Sequence, residues 1–196
     1  MFDQIALVRE FFERLTAIDE KITARVAAAA CPFCGGPLHR GDYPRKLRGA
    51  LVAVAAEAFN RRFSLCCGRD GCRRRAMPPS VRFLGRRVYV GAVVIVASVV
   101  ALAAATASAI RRATGISPRT ARRWLRWWRG PFLETSVFAA LSARVVPALS
   151  RDQLPASVLA RVPGSAETKL ACLLGWLAPL TTASVRDGSR FVRGFG

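Results

Sequence analysis

Two short cysteine motifs constrain this chain more than anything else in it: Cys31-Pro-Phe-Cys34-Gly-Gly and Cys67-Gly-Arg-Asp-Gly-Cys72. Two thiolates separated by two residues, followed by glycines that let backbone amides turn toward sulfur, hold one side of a tetrahedral metal site. The second motif offers the other side, with four residues between its cysteines and two glycines to make the turn. Cys31, Cys34, Cys67 and Cys72 are therefore assigned as ligands of one structural zinc ion. Cys66 competes with Cys67 for the third position. On a strand the two point to opposite faces, so only one of them ligates; Cys67 is assigned and Cys66 is its alternative.

Other chemistries fit these cysteines less well. Asp3, Glu10 and Glu13 interrupt the N-terminus where an export signal needs an apolar core. The chain is thus expected in the cytoplasm, where thiols stay reduced and disulfides are rare. A redox Cys-x-x-Cys belongs beside a βαβ pattern, which is missing around Cys31. Buried cysteines without a metal are the plain alternative. His39, alone on a basic loop, reads as solvated, and Cys172 reads as a core residue. Residues 31–80 have too few large apolar side chains for a core of their own, so metal binding is expected to supply folding free energy there. Four sulfurs close the coordination sphere, which argues against catalysis by this metal.

Charge bears on the partner. With 31 Lys and Arg against 12 Asp and Glu, the formal net charge is +19. Such a surplus points to a polyanion, either nucleic acid or an anionic membrane surface. Between Arg40 and Arg129 lie twenty basic residues and three acids (Asp42, Glu57 and Asp70). The positive field is concentrated there, as a binding footprint is.

Along the chain, residues 3–26 carry apolar side chains at three- and four-residue steps (Ile5, Val8, Phe12, Leu15, Ile22, Val26, counting across Asp19), predicting an amphipathic helix with Asp3 as its cap. It either packs on its own chain or forms a homodimer. Gly, Pro and charge then predict a loop or short hairpin to Arg48, and 49–60 a short helix or a spacer. RRFSLCC (61–67) reads as a strand entering a turn, and SVRFLGRRVYV as a second extended segment. Residues 88–110 form a run of 23 uncharged residues, long enough to span a bilayer. Arginine pairs flank it on both sides and give no orientation, and its second half is Ala-, Thr- and Ser-rich, so two helices of a soluble domain are preferred, the first from Val88 to about Val100.

SPRTARRWLRWWRG (117–130) carries a strong start signal, Ser117 as N-cap and Pro118 at the first helical position. The preceding ASAIRRATGI places Gly115 where a helix takes a left-handed cap. Helix, glycine turn and Arg-rich helix together predict a helix-turn-helix. Trp124, Trp128 and Leu125 are expected to face the core. Arg119, Thr120, Arg122, Arg123, Arg126 and Arg129, with Ser117, are left for DNA, and Arg119, Thr120 and Arg123 are assigned to base edges. Arg73, Arg74, Arg75, Arg86 and Arg87 are further candidate phosphate contacts.

The order of CPFCGG, the second cysteine pair, a basic segment, an apolar helix and a helix-turn-helix resembles the N-terminal DNA-binding region of bacterial insertion-sequence transposases and their zinc-ribbon accessory proteins. The resemblance covers residues 31–130. It implies that Cys31, Cys34, Cys67 and Cys72 ligate zinc, that 117–129 is the recognition helix, and that the chain serves a mobile element. The second pair departs from the common spacing of two. Nor do clustered carboxylates follow: Glu134, Asp152, Glu167 and Asp187 are scattered, so transposase catalysis is not implied.

The expected fold is therefore mainly α with a small β zinc ribbon: an amphipathic helix (1–30), a four-cysteine ribbon (31–85), a trihelical helix-turn-helix domain (86–130) and a helical C-terminal region (131–196). The expected function is that of a non-enzymatic, zinc-stabilised protein binding double-stranded DNA, nucleoid-associated in the cytoplasm, acting with a separate transposase or recombinase and without a small-molecule substrate. A membrane protein spanning at 88–110 with a cytosolic zinc domain, and a DNA-cleaving enzyme with an unrecognised site, are the alternatives.

Overall fold

The first helix, α1 (Arg9–Ala28), forms where apolar side chains recur on one face, and Phe11, Phe12, Leu15, Ile22 and Val26 are all buried. Asp19, which breaks that apolar pattern, is buried as well. The computed structural model describes residues 9–45, 59–84, 90–103 and 106–182. The expected cap at Asp3, most of the 49–60 segment, and Arg86 and Arg87 lie outside the described residues. The apolar face of α1 packs into the core of its own chain, against residues such as Phe59 and Val81.

Beyond α1 lies a small β module: β1 (Leu38–Arg40), β2 (Tyr43–Pro44), β3 (Arg61–Arg62), β4 (Leu65–Cys67) and β5 (Arg75–Ala76). β4 lies between β1 and β5, antiparallel to both, and β2 pairs with β3. The strand expected over 61–67 is thus present in two pieces. Of the second extended candidate, only an isolated bridge between Phe83 and Val90 is described. Leu65 and Ala76 of the module form a small apolar cluster with Val26 of α1, and Ala27 and Leu38 pack against it.

The rest is helical: α2 (Gly91–Leu102), α3 (Ala107–Thr114), α4 (Pro118–Arg129), α5 (Ser136–Ser142), α6 (Ala156–Leu159) and α7 (Ala166–Leu177), with 3-10 turns at Pro131–Glu134 and Ala178–Thr181. α2 contacts α3, α4 and α7, and α3 contacts α4. Val and Ile dominate α2 and would suit a strand. Burial among three helices keeps it helical, since its backbone bonds close within the segment whatever its neighbours are. That burial also accounts for its apolar composition. The uncharged run at 88–110 is divided between two helices, with α3 starting afresh at Thr106, whose hydroxyl accepts from the Ala109 amide. No helix among the described residues is long and apolar enough to cross a membrane.

Two polar contacts fix how these parts sit. Ser98 on α2 donates to Val94 O at 2.7 Å and accepts from the Trp128 indole at 3.1 Å, satisfying the one polar atom of a fully buried tryptophan. Asp19 of α1 gathers the segment that follows β5: Ser80 Oγ donates at 2.6 Å, the Val81 amide at 2.7 Å and Arg82 Nε at 2.8 Å. Arg82 also donates to the carbonyls of Phe59 and Arg61 and stacks on Phe63. A second guanidinium, Arg62, is equally enclosed and donates to the carbonyls of Phe63 and Pro78. Burial pushes its pKa down, while Asp19 draws it back up. One carboxylate and two guanidiniums thus replace apolar side chains where the β module meets α1.

Candidate functional site

α1 leads directly into the first cysteine knuckle. Ala30 takes a left-handed conformation (φ 62°), the Cys31 amide donates to Gly36 O at 2.9 Å, and the Gly35 amide to Cys31 O at 2.8 Å. The second knuckle leaves β4 and returns through Arg69–Arg73 to β5, with the Cys67 amide donating to Arg74 O. Arg73 is the other non-glycine residue with positive φ (44°) among the described residues. Both strained positions border a cysteine of the quartet, as expected where a site holds the backbone in an unfavourable region.

The Sγ atoms of Cys31, Cys34, Cys67 and Cys72 all lie within 4.8 Å of one another. Cys34 and Cys67 are 3.5 Å apart and Cys31 and Cys72 are 3.9 Å apart. A tetrahedron with metal–sulfur bonds of about 2.3 Å has sulfurs ~3.8 Å apart. The quartet fits one metal ion. Gly36 suits this closeness: a Cβ there would stand 3.0 Å from Arg69 Cβ, 3.1 Å from Cys67 Sγ and 3.3 Å from Cys34 Sγ, so the sulfurs would have to give way.

Electrostatics point the same way. The Gly36 amide, aided by the other thiols, draws Cys34 down to about 7. Cys67 is pushed up to about 12 despite the Arg69 amide, which donates to its sulfur at 3.4 Å, because burial and the three neighbouring sulfurs disfavour a second negative charge. Without a cation the four sulfurs keep protons between them, and a metal ion binding there would displace those protons.

Cys67, and not Cys66, lies with the other three cysteines of the quartet. Within β4, Leu65 and Cys67 are buried and Cys66 between them is half-buried, paired between His39 on β1 and Arg75 on β5. The apolar Leu65 two residues before Cys67 is the local signal that puts Cys67 on the inward side of this short strand. His39 is exposed, and Cys172 is half-buried, its thiol raised by partial burial.

The arginine-rich helix has two unlike faces. Ala121, Trp124, Leu125 and Trp128 are buried, whereas Arg119, Arg122, Arg123 and Arg126 are exposed. α3 ends on exposed Arg111 and Arg112 and is capped by Gly115 at φ 64°, a left-handed position that glycine takes without strain. Ser117 caps α4 and engages Thr120, accepting from its amide at 3.3 Å and donating to its hydroxyl at 2.9 Å. These two side chains order the helix start.

Other candidate contacts are engaged within the chain. Arg129 donates to Asp152 O. Arg75 donates to Gly41 O and Ser64 Oγ and stacks on Tyr43. Arg73 pairs with Asp70, and Arg74 lies over Phe33. Sequence reasoning did not identify Asp19, Arg62 or Arg82 as a unit. The signal available was a lone acid at a core position of an amphipathic helix. No protein-family model, curated protein or solved structure matches this chain.

Proposed function

We propose that this chain is a zinc-stabilised DNA-binding protein with no catalysis of its own, associated with a mobile element and acting in end binding, targeting or regulation beside a separate transposase or recombinase. The observation that carries the proposal is the division of α4. Its apolar side chains fix it to the core while Arg119, Arg122, Arg123 and Arg126 face solvent with no acid on the helix. Arg111 and Arg112 extend the basic surface onto α3. α4 then serves as a recognition helix, Arg119 and Arg123 toward base edges and the remaining arginines toward phosphates. The mobile-element association rests on the order of knuckle, second cysteine pair, apolar helix and arginine-rich helix alone.

Zinc is the metal proposed for the quartet, because four thiolates at tetrahedral spacing suit a closed structural zinc site. When bound, it supplies cross-linking and charge compensation. Cys31, Cys34, Cys67 and Cys72 hold it, and the Gly36 and Arg69 amides support Cys34 and Cys67.

The test is duplex binding at two salt concentrations. Six phosphates neutralised would weaken affinity about a thousandfold between about 50 and 200 mM salt, and removing one phosphate-binding arginine would lower the salt slope by about 1. Duplex affinity that is indifferent to salt, or unchanged by alanine at Arg119, Arg122, Arg123 and Arg126 together, sinks the proposal. Elemental analysis of the purified chain is expected to show one zinc, lost in Cys34→Ser.

A further inference from the structure

We propose that the tip of the first knuckle is a second nucleic-acid contact, where Phe33 stacks an unpaired DNA base and the neighbouring arginines hold its phosphates. Phe33 leaves 47% of its surface in solvent and, with Val146, is one of two large apolar residues exposed among the described residues. It is not on a loose loop. It lies between two cysteines of the quartet, in a turn closed by the Cys31 and Gly35 amides, and Arg69 Nη1 donates to Cys34 O at 2.7 Å. An aromatic ring in water on a rigid turn is a contact surface with its ordering cost already met.

Charge selects the occupant. The Arg74 guanidinium stacks over the Phe33 ring, 5.0 Å from its centroid. Arg73 is 70% exposed, and its pairing with Asp70, itself 92% exposed, is a weak surface contact that a phosphate can replace. A flat apolar face beside guanidiniums suits a ligand that is both aromatic and anionic. An unpaired nucleotide is both; a paired base has its faces covered by stacking, and an acidic peptide lacks the ring. Base stacking on aromatic and guanidinium planes is the usual means of holding unpaired strands. The inference extends the DNA-binding reading but uses no residue of α4, so the two fail separately.

The experiment uses the full-length, metal-loaded protein with two labelled probes, a blunt duplex and the same duplex carrying a single-stranded overhang. Binding is followed by fluorescence anisotropy for the wild type, Phe33→Ala, Phe33→Trp and Arg119→Ser/Arg123→Ser. The wild type is expected to prefer the overhang. Phe33→Ala is expected to lose about 5- to 150-fold in affinity for it, with blunt-duplex binding and metal content unchanged, and Phe33→Trp to retain it. If Phe33→Ala loses metal, Phe33→Leu, which keeps bulk and removes the ring, makes the same comparison. Overhang affinity that survives loss of the ring overturns the inference, as does a wild type with no preference for the overhang, while blunt-duplex binding lost in the α4 variant leaves the α4 reading standing. Overhang binding that depends on Phe33 without any blunt-duplex binding has the opposite meaning. No binding to either probe overturns both.

Discussion

Around Trp128 the helical region packs Phe132, Phe138, Ile110 and Leu173 into one continuous apolar cluster that also takes in Phe11, Phe12 and Leu15 of α1. Around Cys67, among the described residues, the β module sets only Leu65 and Ala76 against Val26 of α1, with Phe63 buried nearby in the chain. The first region is held by apolar area removed from water, which is non-directional and tolerant of small changes. The second is held by sulfur at metal-binding distance and by buried ions, which are directional and intolerant of losing a member. The two regions meet at Asp19, where a helix of the apolar core accepts three hydrogen bonds from the segment leaving the module. Where apolar side chains run out, this chain substitutes polar cross-links for area.

The largest test of that contrast is to remove the metal. Structural zinc contributes on the order of 10 kcal/mol in small metal-dependent folds. Chelation should therefore expose residues 59–76 to protease while the helical circular-dichroism signal largely survives. Loss of both together would show that the two regions fold as one unit and break the comparison. The pH dependence follows from the thiols. With Cys67 near 12 and Cys34 near 7, the metal-free quartet retains protons at neutral pH that binding must expel. Metal affinity should rise with pH and fall steeply below about 7, where Cys34 also takes up its proton. Calorimetry in buffers of different ionisation enthalpy is expected to show that proton release.

A second test cuts the junction. Asp19→Ala leaves the Arg82 guanidinium buried without its carboxylate, and is expected to cost about 3–5 kcal/mol in urea unfolding. Asp19→Ala with Arg82→Met should recover part of that loss, because the guanidinium that pairs directly with Asp19 is then gone and only the buried Arg62 is left without a carboxylate. A double variant no better than Asp19→Ala alone would mean that the carboxylate acts through the Ser80 and Val81 contacts instead.

The smallest effect lies at the entrance to the knuckle. Ala30 is held at φ 62°, a conformation that costs a residue with a Cβ about 1 kcal/mol relative to glycine. Ala30→Gly is expected to raise the stability of the metal-bound protein by up to about that amount. A fall in the unfolding midpoint instead would mean that Ala30 contributes more by packing than it loses by strain.

Much of this was legible along the chain because the signals are local. The Ser117-Pro118 start, the Gly115 stop and the inward side of α4 depend on atoms within a few residues of one another, and all three appear as read. The cysteine quartet was legible because each pair sits within a few residues of chain beside turn glycines, although the second pair has four residues between its cysteines and the first two. The place of Cys67 in the quartet was also written in Leu65, two residues before it on the buried side of β4.

What only the tertiary structure decided is non-local. Asp19 looked like an interruption to be counted across, and its partners Ser80 and Arg82 are 61 and 63 residues away. Arg75 and Arg129 read as free cations, yet both donate to carbonyls of their own chain. Arginine's sequence context reports charge but not where that charge ends, because its long side chain reaches whatever acceptor folding brings near. Helix caps, turn glycines and ligand spacing were determined by the sequence itself, since their energies are settled within a turn or two of backbone. The compensation of buried charge was decided by the fold, since it depends on which distant groups are excluded from water together.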